Sequence, residues 1–406
     1  MNFFYRISKI SAGTLRVCCT IEEPGDICAL LFYNNANISL PEDSPLVGQE
    51  TGRYILQENK VDVRFLYDVN CRFMHNERLS DCFCLSIDDC SIFLGKAVFF
   101  KPESGTAKYN IQVDLPAEST FNKTGEGWET SSSRELFLSS FIMGSFIHEE
   151  MDVCGSKINL LGNNGARQVV DNNKKDFREL IKSVADYVGC PFSDGISPVF
   201  IRLEEHMSRH ITRASGLSFN NGIIVTIPYN QVSYSSYDYW LFVHELLHQW
   251  IGIKMSPEEK GLEWFFEGAV SWCATEIVKQ KGYMSEEEHE LVIQRNMKKY
   301  LDSCCEIIGR DALLVHNPGK IRDYMLHGGF FLVEVLDRYW RTGIGKGFRN
   351  FLIKFLKRNE PKEISRAYLS KEIADFCNND LPSFFSDYLE RKSVLPIHCI
   401  HGEVEN

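Results

Sequence analysis

Tyr239-Trp240-Leu241-Phe242-Val243-His244-Glu245-Leu246-Leu247-His248-Gln249-Trp250 decides how the rest of the chain is read. It contains His-Glu-x-x-His. On a helix, residues i and i+4 stand one turn apart on one face. His244 and His248 can therefore turn one ring nitrogen each toward the same zinc ion, and Glu245 lies beside them, placed to polarise a water. The flanks favour a helix. Ser235 and Asp238 form an S-x-x-D capping box, and no glycine or proline follows until Gly252, so a helix is expected over 235–252. Two histidines at this spacing also occur by chance on buried helices, so a metal reading requires a further ligand.

The stretch Gly261-Leu262-Glu263-Trp264-Phe265-Phe266-Glu267-Gly268-Ala269 offers one. Eighteen residues separate His248 from Glu267. A turn and a second helix fit that interval, which allows the Glu267 carboxylate to reach the ion. Three protein ligands leave the fourth position for water, the pattern of a catalytic zinc rather than a closed structural one.

His-Glu-x-x-His, eighteen residues, then W-x-x-E-G resembles the gluzincin metallopeptidases of the aminopeptidase N and leukotriene hydrolase type, and the glycyl aminopeptidases. His248-Gln249-Trp250 is most similar to the last of these. The resemblance implies an α+β chain, with an N-terminal antiparallel β domain (a sandwich or saddle) followed by a thermolysin-like, mostly helical catalytic domain. It implies one Zn2+ per chain on His244, His248 and Glu267, and hydrolysis of peptide bonds in peptide or protein substrates. In that chemistry a metal-activated water attacks the carbonyl, and Glu245 is the general base that passes the proton to the leaving amine.

Two departures bear on substrate. The family's oxyanion donor is a tyrosine in a Y-x-K-G-like motif. The nearest match is Tyr324-Met325-Leu326-His327-Gly328-Gly329, where Tyr324 is one or two residues out of step, so either Tyr324 or His327 is the expected donor. The family also holds a substrate's α-amine with a glutamate in G-x-M-E-N or G-L-E-H. The matching stretch, Gly216-Leu217-Ser218-Phe219-Asn220-Asn221, has no acidic residue, and Ser218 stands at the glutamate position of the second motif. Gly216, Ser218 and His327 are the expected substrate contacts, with Glu204 or Glu205 as substitute anchors if the fold brings either close. Three readings follow: a zinc metallopeptidase, including an aminopeptidase with an altered amine anchor; a catalytically silent peptide-binding protein on the same fold; and a non-peptide hydrolase of the leukotriene hydrolase kind.

The composition agrees with a globular chain of two or three domains, expected at 1–145, 146–290 and 291–406. A formal charge of −11, from 55 acidic against 44 basic residues, disfavours a nucleic-acid surface. The N-terminus does not continue into an apolar signal-like run, and no run reaches the roughly 18 residues of a membrane span, so a cytoplasmic chain without membrane attachment is expected. The fourteen cysteines then read as mostly reduced thiols. Cys82, Cys84 and Cys90 are either small apolar strand residues or a second metal set. The pair His206 and His210 has no glutamate at the right place and reads as surface or structural.

Along the chain, strands are expected at 14–18, 61–67, 91–94, 97–100 and 109–113, a polar linker at 118–135, and a further strand from Leu136 to Ile147. Phe177, Leu180, Ile181, Val184 and Val188 form one stripe of a helix over 171–188. Strands follow at 198–203 and 222–228. Helices are expected at 262–281, 285–304, 321–341, 345–357, 363–377 and 381–392, ahead of a loose tail from Leu395.

Overall fold

The computed structural model describes residues 1–11, 13–22, 29–32, 38–48, 52–56, 62–71, 84–87, 89–103, 106–114, 128–192, 195–208, 213–259, 261–307, 318–358 and 362–377. Residues 118–127 of the expected linker, the helix at 381–392, the tail, Cys82 and His210 lie outside the described residues; the rest of the linker is corrected, because Trp128–Thr130 is a strand and Ser133 opens a helix. The chain is α+β, with antiparallel sheets dominating its N-terminal part and helices its C-terminal part. It divides into two compact units. One comprises Met1–Met151, Ile158–Asn172 and Gly195–Ser233. The other comprises Asp152–Lys157, Asn173–Asp194 and Tyr234–Asn406.

The first unit is built on period-two alternation. Its largest sheet runs β12 (Trp128–Thr130), β11 (Lys108–Val113), β1 (Asn2–Ser11), β2 (Thr14–Glu22), β7 (Asp62–Asn70), β4 (Ile38–Ser39). All its pairings are antiparallel except β1 with β11. Phe3, Tyr5 and Ile7 of β1, Val17, Cys19 and Ile21 of β2, and Phe65, Tyr67 and Val69 of β7 are buried on one face, and the residues between them are more exposed, Phe4 and Leu66 included. A second sheet, β10 (Lys101–Pro102), β3 (Ala29–Leu31), β6 (Arg53–Leu56), β5 (Leu46–Gly48), contributes to the same core. Phe100 is ringed there by Phe32, Tyr54, Phe65 and Tyr67, and the Tyr5 and Tyr67 hydroxyls donate to the carbonyls of Phe100 and Val98.

A third sheet, β13 (Ser140–Gly144), β9 (Cys90–Leu94), β8 (Cys84–Ser86), has a separate apolar cluster shared with the fourth. The fourth runs β14 (Ile147–Val153), β15 (Ser156–Gly162), β16 (Ser197–Arg202), β18 (Gly222–Ile227), β17 (Ser215–Phe219). The β15–β16 and β16–β18 pairs are parallel, and β17 is an antiparallel edge strand.

Two expected strands are corrected. Within 97–100, the segment Gly95–Val98 forms one helical turn, α1, because the Gly95 amide bonds to the Ser139 carbonyl and the Phe99 amide folds back onto Gly95. Within 136–147, Ser133–Leu138 is helical (α2) and capped by the Ser132 hydroxyl accepting from the Glu135 amide; β13 starts only at Ser140. A capping serine outweighed the apolar run after it.

The reading of Cys84 as a thiol or a metal ligand is also corrected, because it forms a disulfide with Cys71. The Gly13 turn brings the two together: its amide bonds to the Ser86 carbonyl, and its carbonyl accepts from the Cys71 amide. Cys90 is a free, buried thiol of the adjacent strand.

The second unit is helical. Its helices are α3 (Arg167–Val188, whose first turn counts with the first unit), α5 (Ser236–Leu247), α6 (Val270–Gln280), α7 (Glu286–Ile307), α8 (Pro318–Ile344), α9 (Phe348–Arg358) and α10 (Arg366–Phe376); the short α4 (Glu205–Ser208) belongs to the first unit. β19 (Met255–Pro257) and β20 (Lys362–Ile364) make a two-stranded parallel ribbon. The stripe Phe177, Leu180, Ile181, Val184 and Val188 of α3 is wholly buried, and Phe177 stacks on Phe242 of α5 with centroids 4.8 Å apart. At about 1.5–3 kcal/mol for each large apolar side chain buried, this stripe holds α3 in the core, and its Phe177 meets the helix that carries His244. Among the described residues, no helix is long and apolar enough to cross a membrane.

Candidate metal centre

The helix α5 forms where the capping pattern placed it. The Asp238 carboxylate accepts from both the Ser235 amide and its hydroxyl at 2.7 Å. Tyr239 fixes its first turn to α3, donating to Asn173 and Asp176, and the same Asp176 accepts from Tyr283. Burial, together with Asp176, pushes both tyrosine hydroxyls well above their ordinary range, so they act as donors.

The helix is shorter than expected. It ends at Leu247, and His248 caps it. The carbonyls of His248, Gln249 and Trp250 accept from the amides of Ile253, Lys254 and Met255, five residues on, so wide turns replace the helical ladder before Gly252 is reached. His248 is thereby tied to its own turn, its Nδ1 lying 2.8 Å from the Ile251 carbonyl.

The helix that carries Glu267 is also irregular. Trp264–Ala269 forms a π-helical turn that runs into α6. Gly268 faces α8 so closely that a Cβ there would meet Gly329 Cα at 2.7 Å and the Leu326 carbonyl oxygen at 2.9 Å, while one on Gly329 would meet the Trp264 oxygen at 2.4 Å. Two glycines thus let the backbones touch, and Trp264, buried behind them, braces the turn.

These elements bring three ligand atoms together. His244 Nε2 and His248 Nε2 are 3.1 Å apart, and Glu267 Oε2 lies 3.6 and 3.8 Å from them. A tetrahedral zinc with bonds of ~2.0–2.1 Å needs ligand atoms roughly 3.3 Å apart, so two imidazoles and a carboxylate at these separations fit the ion. Among the described residues, this is the only group of three or more such side chains close enough to hold a metal. Glu245 is 7% exposed and lies about 100° round α5 from His244 and nearer His248, a buried carboxylate beside the ligands.

Of the acids near in sequence, Asp238 serves the cap, Glu276 faces His289 at 3.3 Å, and Glu263 has a buried Oε2 with no hydrogen-bond partner among the described residues. The histidine Nδ1 atoms meet other groups: Ile251 O for His248, and the Ser271 hydroxyl, at 3.4 Å, for His244. Ser271 was not foreseen; its only trace in the sequence is its place one turn after Glu267. Trp240 stacks on His244 at 5.0 Å and donates to the Thr275 hydroxyl and the Ser271 carbonyl.

The remaining candidates stand on other elements. Tyr324 and His327 are buried on α8, where Tyr324 packs on Tyr300 of α7 and His327 Nδ1 lies 2.7 Å from Asn296 Oδ1 of the same helix. Gly216 and Ser218 are half-buried positions of the edge strand β17 in the first unit, and Phe219 beside them is buried in its core. His206 is exposed and faces Glu204 at 3.3 Å.

No family model and no curated protein matches the chain. Solved structures do. An aminopeptidase N family protein from Idiomarina loihiensis superposes with a TM-score of 0.73 at 13% identity, covering 98% of this chain and 78% of that one. An M1 zinc metallopeptidase from Deinococcus radiodurans gives 0.60 at 13% identity, covering 98% and 95%. A mutant of it bound to a Tyr-Ser-Ala substrate gives 0.61. The chain thus has the fold of the aminopeptidase N family and M1 zinc metallopeptidase structures, which is the gluzincin resemblance its motifs carry.

Proposed function

We propose that the chain is a zinc-dependent metallopeptidase, with the ion held by His244, His248 and Glu267. The observation that carries this is the convergence of two imidazole nitrogens and one carboxylate oxygen, with separations of 3.1–3.8 Å, beside the buried Glu245. When bound, zinc supplies Lewis acidity that polarises a substrate carbonyl and acidifies a water. Glu245 takes the proton from that water and delivers it to the leaving amine. A donor from α8, Tyr324 or His327, stabilises the developing oxyanion. A structural zinc has no need of a general base, so Glu245 favours catalysis over silent binding.

The structural neighbours include a metallopeptidase bound to a Tyr-Ser-Ala substrate, and two-domain M1 zinc metallopeptidase mutants bound to L-arginine and to L-tryptophan, which supports a peptide as substrate here. The test is zinc content together with cleavage of a mixed peptide library followed by mass spectrometry. We expect about one zinc per chain, lost in His244→Ala and His248→Ala. Library cleavage should fall most in whichever of Tyr324→Phe and His327→Gln removes the donor. Protein purified without zinc, or cleavage that survives loss of the histidines, would overturn the reading.

The substrate end is a separate matter. β17 carries Ser218 where the family's second motif has its glutamate, and Phe219 beside it is turned into the core. No carboxylate on that strand can pair with an ammonium group. Peptides with acetylated N-termini should therefore be cleaved at rates similar to their free counterparts. A preference of tenfold or more for the free amine, about 1.4 kcal/mol, would show that another acid has taken the anchor's place.

A further inference from the structure

The two histidines are held by partners of different kinds. His248 Nδ1 faces the Ile251 carbonyl at 2.8 Å. A carbonyl only accepts, so His248 carries its proton on Nδ1 and presents a bare Nε2. His244 Nδ1 faces the Ser271 hydroxyl, which can donate or accept. The two Nε2 atoms lie 3.1 Å apart. Two lone pairs at that distance repel unless a proton or a cation lies between them. When no cation does, the bare Nε2 of His248 requires a proton on His244 Nε2. In the neutral ring His244 Nδ1 is then an acceptor, and its partner must donate. When a cation does, His244 Nε2 must be bare and its Nδ1 protonated, and its partner must accept.

From this asymmetry we infer that Ser271 is the positioning residue that lets His244 exchange tautomers as the metal enters, its hydroxyl turning from donor to acceptor. This rests on the zinc reading above. The exchange balances: water takes the proton from His244 Nε2, while the Ser271 hydroxyl passes its own proton to Nδ1 and regains one from solvent, so the ring and the hydroxyl both stay neutral. A carbonyl or a carboxylate at position 271 would serve only the loaded state, and an alkyl group would serve neither. The indole of Trp240, hydrogen-bonded to the Ser271 carbonyl and to Thr275, keeps the ring plane fixed through the change. Ser271 is 5% exposed, so water does not readily replace its hydroxyl.

The test uses the 406-residue chain with ¹⁵N-labelled histidine. Long-range ¹H–¹⁵N spectra of the metal-free protein should show His244 as the Nε2–H tautomer, and the zinc-loaded protein should show Nδ1–H. Zinc affinity, measured by competition with a chromophoric chelator, should fall on the order of tenfold in Ser271→Ala and return in Ser271→Thr, which keeps the hydroxyl. The metal-free Ser271→Ala protein should unfold at the wild-type midpoint, which separates positioning from stability. One tautomer in both states, or wild-type zinc affinity in Ser271→Ala, would overturn the inference while leaving the metal centre itself standing. A wild-type protein that takes up no zinc would instead defeat the reading on which it rests.

Discussion

Glu245→Gln is expected to retain zinc and lose hydrolysis by about 10²–10⁴-fold in kcat. The amide is nearly isosteric with the carboxylate and stays within α5, so the three ligands are undisturbed. It cannot take a proton from water, which is the step assigned to this residue. The carboxylate is buried, so bulk solvent does not supply an alternative base at the same place. Metal analysis and single-turnover cleavage on one preparation check both halves. Cleavage at the wild-type rate with zinc bound would remove Glu245 from the mechanism. Loss of zinc along with activity would instead make it part of the metal's support.

The second large effect is expected at a backbone contact rather than at a reacting group. Gly329→Ala should destabilise the fold by about 1–3 kcal/mol or more and weaken zinc binding with it. The added methyl meets the Trp264 backbone at 2.4–2.5 Å, and backbone cannot swing aside as a flexible side chain does. The π turn must move, and Glu267 moves with it. Gly343→Ala is the matched control. It lies near the end of the same helix with nothing within 4 Å, and should be neutral or slightly stabilising because alanine favours helix over glycine. Urea midpoints of the two variants, read beside their zinc affinities, separate these outcomes. A Gly329→Ala protein as stable as wild type would show that the α8 contact is not what seats the ligand helix.

Much of the site was legible in the chain because its parts are local. The spacing of His244 and His248 follows from the helical repeat alone, and Ser235 with Asp238 announces where that helix begins. The stripe on α3 and the alternation on β1, β2 and β7 are likewise set by one face meeting one core. The misreadings fall on short elements. Gly95–Val98 and Ser133–Leu138 have too few residues for a period to register, and a distant carbonyl or a single hydroxyl decides them. Cys71 and Cys84 are thirteen residues apart and join only because the Gly13 turn bonds to the chain on both sides of them. Ser271 was invisible as a partner of His244 because its contact depends on how α5 lies against α6.

The amino-acid sequence by itself determined which atoms could serve a metal, since the identities and spacing of His244, Glu245, His248 and Glu267 are written in it. Tertiary structure decided how close those atoms come. His248 sits past the helix end on a chain of wide turns, and Glu267 sits on a π turn seated against Gly329. The 3.6 and 3.8 Å that bring the carboxylate to the two imidazoles are therefore set by helix packing, which no local pattern encodes. The same holds for the proton on each ring. The residue type offers two nitrogens, and packing decides what meets the outer one: for His248 the Ile251 carbonyl, which only accepts and keeps the proton on Nδ1, and for His244 the Ser271 hydroxyl, which can donate or accept.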